Sequence, residues 1–120
     1  MEIQFSEKKI EGVPVFELEG KIMGASKSFS FCDRLTELVD SGEKNILLDF
    51  SKVQWINSAG IGMMMACVKK LRENGGDLHF VGLRGRVAYY FKISKIDSVL
   101  QMYQNRDEAL KKVLSTEIPF

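Results

Sequence analysis

The stretch Ile46-Leu47-Leu48-Asp49-Phe50-Ser51-Lys52-Val53-Gln54-Trp55-Ile56-Asn57-Ser58-Ala59-Gly60-Ile61-Gly62 decides how this chain is read. Residues 45–50 carry a short unbroken apolar run, the pattern of a strand covered on both faces, which predicts a central place in a sheet. Beyond it, Ile61, Met64, Met65, Val68 and Leu71 recur at helical spacing, so a helix is expected over 58–73. Asn74-Gly75-Gly76 offers glycine for a left-handed cap at its end. Ser58 thereby falls at a strand-to-helix junction near the carboxyl edge of the sheet, where sites of α/β folds gather.

Working outward, Ile3 and Phe5 alternate with polar residues, and 13–18 forms a second apolar run after the turn signal Glu11-Gly12. Together they predict an edge hairpin. Cys32, Leu35, Leu38 and Val39 recur at three and four, giving a helix over 26–39 that Ser41-Gly42 stops. Downstream, the pattern predicts a strand over 78–83, a short helix over 87–93, a strand over 99–102 and a closing helix over 107–114, capped by Asn105 or Asp107. The order β-β-α-β-α-β-α-β-α predicts a single α/β domain over 1–120. Its sheet should be mixed and mostly parallel, with about five strands, the first antiparallel, and about four helices joined by right-handed crossovers.

Of the 120 residues, 45% are apolar and 28% charged, ordinary values for a folded domain. Lys and Arg number 17 against 16 Asp and Glu, so the chain as a whole exerts no pull on nucleic acid or anionic lipid. Tyr89-Tyr90-Phe91 beside Lys92 does not outweigh that balance. No apolar run approaches the eighteen or so residues of a membrane span, and the first residues lack a basic-then-apolar leader. A cytoplasmic protein with protein partners is expected. Cys32 and Cys67 form no Cys-x-x-Cys or metal-ligand pattern and read as two free buried thiols. Neither a metal nor a cofactor is expected.

Two explanations compete for Ser58. As a helix N-cap its oxygen would accept a hydrogen bond from a first-turn N–H and contribute about 1 kcal/mol. As a phosphoserine it would carry about −1.5 to −2 charges beside the partial positive charge of a helix N-terminus. Gly60 and Gly62 weaken the first turn and so call for a reason, either close approach of a partner to Ser58 or tight packing on the sheet. A nucleophile elbow would need glycine where Ile56 stands, and the single histidine, His79, lies in a predicted strand and reads as structural. Hydrolysis is therefore not expected. No nucleotide-binding glycine motif is present, although Gly82-Leu83-Arg84-Gly85-Arg86 could make a basic, anion-attracting turn. Met64 and Met65 fit the core stripe of the second helix, whereas Met63 falls on another face and suits either packing or adaptable contacts.

The run 49–62, followed at helix length by Asn74-Gly75-Gly76-Asp77-Leu78, resembles the signature of STAS domains, specifically bacterial anti-sigma factor antagonists. Gly20-Lys21-Ile22-Met23-Gly24-Ala25 and Asp107-Glu108-Ala109-Leu110 fit the same pattern, and the resemblance spans nearly the whole chain. It implies a non-enzymatic partner switch. In that family the unphosphorylated antagonist binds an anti-sigma factor that is also a serine kinase. Phosphorylation of the motif serine ends binding, and a metal-dependent serine phosphatase restores it. The resemblance places Ser58 at the phosphoacceptor position and Ile22, Met23, Gly24, Asn57, Ala59 and Gly60 on the partner-binding surface. Asn57 departs from the family's commonest form, which has Asp before the serine. Two other roles stay open: a STAS scaffold subunit in a signalling or lipid-transport assembly, and a nucleotide-binding module.

Overall fold

A computed structural model of the chain describes residues 4–23 and 29–116. Its elements are β1 (Gln4–Ile10), β2 (Val13–Ile22), α1 (Phe29–Asp40), β3 (Asn45–Ile56), α2 (Ser58–Glu73), β4 (Asp77–Val81), α3 (Gly85–Ile93), β5 (Gln101–Tyr103) and α4 (Arg106–Thr116). The strands form one five-stranded sheet in sequence order, with β1 antiparallel to β2 and every later pair parallel. The apolar run of β3 thus lies at the centre, as its composition requires. Between β1 and β2, Glu11 and Gly12 both have positive φ, the geometry of a two-residue hairpin turn whose twist matches the strands it joins.

Side-chain alternation along β3 sorts the helices. Ile46, Leu48 and Phe50 face a core shared with α1, α2 and α3, while Leu47 faces a smaller cluster built with Val13, Val15, Val81 and, from α4, Ala109, Leu110 and Val113. Three helices therefore cover one face and α4 covers the other. On the second face Asp49 is nearly buried. Arg106 Nε donates to its Oδ2 at 2.8 Å, the Ser51 N–H donates to its Oδ1 at 2.9 Å, and a second Arg106 nitrogen reaches Glu17. That ion pair ties the first residue of α4 to the centre of the sheet.

Several boundaries move from their expected places. β3 continues six residues past Phe50, and β2 four past Leu18, because the two strands go on pairing through bulges at Glu17/Glu19 and Gly20/Lys21. Those bulges break the alternation from which strand ends are read. Gly82, at φ +74°, ends β4 earlier than predicted. Val99 and Leu100 precede β5, since a short 3₁₀ turn over Ile96–Ser98 occupies the chain before them. Asn105 rather than Asp107 caps α4, accepting from the Glu108 N–H at 2.9 Å. The expectations placed on Ile3, Gly24 and Ser26 fall outside the described residues.

The expectation of free thiols is corrected. Cys32 on α1 and Cys67 on α2 are joined in a disulfide with Cα atoms 5.8 Å apart. Sequence spacing carried no sign of it, because the pair is created by the packing of α1 beside α2.

Candidate functional site

β3 ends at Ile56, and the chain turns at once into α2. Asn57 makes that turn, with extended backbone angles (φ −104°, ψ 178°) and a side chain whose Oδ1 accepts from the Gly60 N–H at 2.8 Å. Its carbonyl accepts from the Ile61 N–H at 2.9 Å, and its own N–H donates to the Ile22 carbonyl at 3.2 Å. Asn57 is thus the N-cap and also the clasp between α2 and β2. The capping role considered for Ser58 belongs one residue earlier, since Asn and Ser are equally good caps and a sequence with both in succession does not distinguish them.

Ser58 is consequently the first residue inside the helix. It is exposed, as is Ala59, and its hydroxyl makes no hydrogen bond among the described residues. The first turn contains no acidic residue, and its Ser58 and Ala59 N–H groups have no acceptor within the helix. A phosphoryl group on Ser58 would therefore meet open donors and a favourable dipole rather than a carboxylate.

Gly60 and Gly62 separate into two roles. A methyl group on Gly60 would overlap the Ile22 carbonyl oxygen and come within 2.9 Å of Ile56 Cγ1, so glycine is what lets α2 lie against the end of β2. Gly62 faces open space, with nothing within 4 Å of an added methyl. Of the residues that the resemblance assigns to a partner surface, Ser58, Ala59 and Met23 are exposed and Asn57 is half-buried. Ile22 and Gly60 are buried and shape the surface from beneath, and Gly24 lies outside the described residues.

Beside Met23 lies a feature that the sequence pattern does not mark. Parallel pairing sets Lys21 opposite Trp55 and Ile22 opposite Ile56. The Trp55 ring meets Tyr90 of α3 edge-on at 5.5 Å, and the Arg86 guanidinium lies 5.9 Å from the indole. Lys21, Met23, Gln54, Trp55 and Arg86 line a groove of about 260 Å³. A larger one of about 850 Å³ adjoins it through Gln54 and is bordered by Gly20, Ser51, Lys52 and Arg84. The basic turn expected at 82–86 thus forms part of the same carboxyl edge as Ser58. The tryptophan gave no signal in the sequence because its strand was expected to have ended at Phe50.

His79 is far from this edge. It is buried, with Nδ1 3.0 Å from the Tyr103 hydroxyl and Nε2 2.8 Å from Asn45 Oδ1, and burial lowers its pKa and keeps it neutral. Its register partner is Leu47, and the stretch of β3 from Leu47 to Ile56 spans roughly 30 Å, so His79 cannot serve Ser58 as a base. Among the described residues no three His, Cys, Asp or Glu side chains converge as metal ligands, and no helix is long and apolar enough to cross a membrane.

Known proteins share this fold. The family model described as STAS domain matches residues 4–109. The chain is 29% identical over 111 residues to BtrV of Bordetella bronchiseptica, named provisionally as an anti-sigma factor antagonist. That match covers 92% of this chain and 94% of BtrV. A Thermotoga maritima structure with the same provisional name superposes with a TM-score of 0.80 at 20% identity, covering 91% and 93% of the two chains. The phosphorylated form of SpoIIAA, a Bacillus cell fate determinant, superposes at 0.68 with 15% identity, covering 92% and 99%.

Proposed function

The chain belongs to the STAS domain family, and on that premise we propose that it is an anti-sigma factor antagonist switched by phosphorylation of Ser58. Unphosphorylated, it binds an anti-sigma factor that is also a serine kinase. The kinase transfers the γ-phosphoryl group of ATP to Ser58 Oγ, the serine proton is released and ADP leaves. A metal-dependent phosphatase returns the hydroxyl by hydrolysis. The chain itself is a substrate in this cycle and not a catalyst.

The observation that carries this reading is the division of labour between Asn57 and Ser58. Because Asn57 holds the cap, the Ser58 hydroxyl can be modified without breaking a hydrogen bond that the fold requires. The added charge, about −1.5 to −2, sits at a helix start that tolerates it. A partner shaped around a neutral hydroxyl would lose that fit, so docking fails while the fold persists. The relatives' names and the existence of a phosphorylated SpoIIAA are consistent with this cycle.

The test is to incubate the chain with ATP and the serine kinases of its source organism that have the ATPase fold of histidine kinases, then locate the phosphate by mass spectrometry. A single phosphate on Ser58, absent from Ser58→Ala, is expected. Modification elsewhere, or none with any such kinase, would contradict the reading.

A further inference from the structure

The charges of this nearly neutral chain are not evenly spread. Lys8, Lys9, Arg34, Arg72 and Arg106 are each held in ion pairs with carboxylates. Lys21, Lys52, Arg84 and Arg86 are all exposed, make no ion pair among the described residues, and line the two adjoining grooves at the carboxyl edge, where Glu19 is the carboxylate present. In the smaller groove, beside Lys21 and Arg86, sit Met23, 36% exposed, and the half-buried Trp55 ring. A rigid aromatic anchor beside a flexible thioether, rimmed by cations, is the composition of a protein-docking centre. Asn57 is hydrogen-bonded to Ile22, so Met23 and Ser58 leave the sheet side by side.

We propose that this cation-rimmed patch docks a carboxylate-bearing surface of the partner protein, with an apolar partner side chain seated against Met23 and Trp55. The inference rests on the partner-switching reading and gives the partner a chemistry. It also supplies an electrostatic basis for the switch. Unpaired cations steer an acidic surface toward the edge. A phosphate on Ser58, of about −1.5 to −2 charges, would offset much of that attraction and repel the arriving carboxylates.

The probe is the peptide acetyl-Glu-Glu-Leu-Glu-Glu-amide, titrated into the isotope-labelled chain and followed by NMR, with the Gln-Gln-Leu-Gln-Gln analogue as control. Saturable shifts are expected at the Trp55 indole, the Met23 methyl and the amides of 84–86. Affinity should fall at least fivefold in 0.5 M NaCl, at least tenfold in the glutamine peptide, and at least tenfold in Lys21→Glu/Arg86→Glu. Lys111→Glu/Lys112→Glu, on α4 across the sheet, should change it less than twofold; matching amide spectra would show that both variants fold. No shifts at the patch, equal binding of the glutamine peptide, or equal loss in the α4 variant would overturn the proposal. So would stronger binding of ATP or inorganic phosphate on the same residues, which would mark a small-anion site. No kinase enters these titrations. Peptide binding without Ser58 phosphorylation would count against the switch alone, and phosphorylation without peptide binding against this surface alone.

Discussion

At Asn57 the side-chain oxygen is committed to the Gly60 N–H, while at Ser58 the hydroxyl has no partner among the described residues. Stability should respond accordingly. Asn57→Ala is expected to cost about 1 kcal/mol in chemical denaturation and Ser58→Ala a few tenths at most, whereas Asn57→Asp keeps the cap. The reverse ranking would return the cap to Ser58. Gly60→Ala should cost about 1–3 kcal/mol, because the new methyl meets the Ile22 carbonyl, whose backbone cannot easily yield. Gly62→Ala meets nothing and should gain up to about 1 kcal/mol. The sequence marked this junction and both glycines but could not divide the roles, since a cap is assigned by which oxygen reaches an N–H and a glycine by what lies across from it.

At the scale of elements, α4 is fastened to β3 and β2 through Arg106, Asp49 and Glu17. Burial pushes the Asp49 carboxyl up, but the Ser51 and Arg106 donors outweigh it and hold the pKa below the usual aspartate value. A lowered folded-state pKa means that this contribution is present above about pH 4 and lost as pH falls further through the folded value. Arg106→Gln should therefore cost about 1–3 kcal/mol near neutrality, and the gap from the unaltered protein should narrow in acid. A gap that is constant from pH 7 to pH 3 would show that the pair does not contribute in this way. The elements themselves were largely legible, because apolar runs of period near two and near 3.6 alternate along the chain. Strand ends were not. The continuation of β3 through Lys52 and Gln54 depends on bulged pairing with β2, and that tertiary fact hid the Trp55 surface.

For the whole molecule, the disulfide joins α1 to α2 across 35 residues of chain. Closing a loop of that length restricts the unfolded state by about 2–4 kcal/mol, so reduction should lower the denaturation midpoint. Thiol titration of the unfolded, unreduced chain should find no free cysteine; finding two would contradict the pairing. The topology that makes this contact also brings the ends of β2 and β3, the start of α2 and the first turn of α3 to one edge of the sheet. Composition could not reveal that convergence. An overall charge of +1 does not reveal an edge at which Lys21, Lys52, Arg84 and Arg86 line two adjoining grooves with one carboxylate, Glu19, among the described residues.

If Ser58 is a phosphorylation switch, the affinity of a kinase that phosphorylates it for each form of the chain tests this most directly. Measured by calorimetry against that kinase, unphosphorylated protein and Ser58→Ala should bind alike, while Ser58-phosphorylated protein should bind at least a hundredfold more weakly, with an unchanged fold. Equal affinity of all three forms would contradict the account.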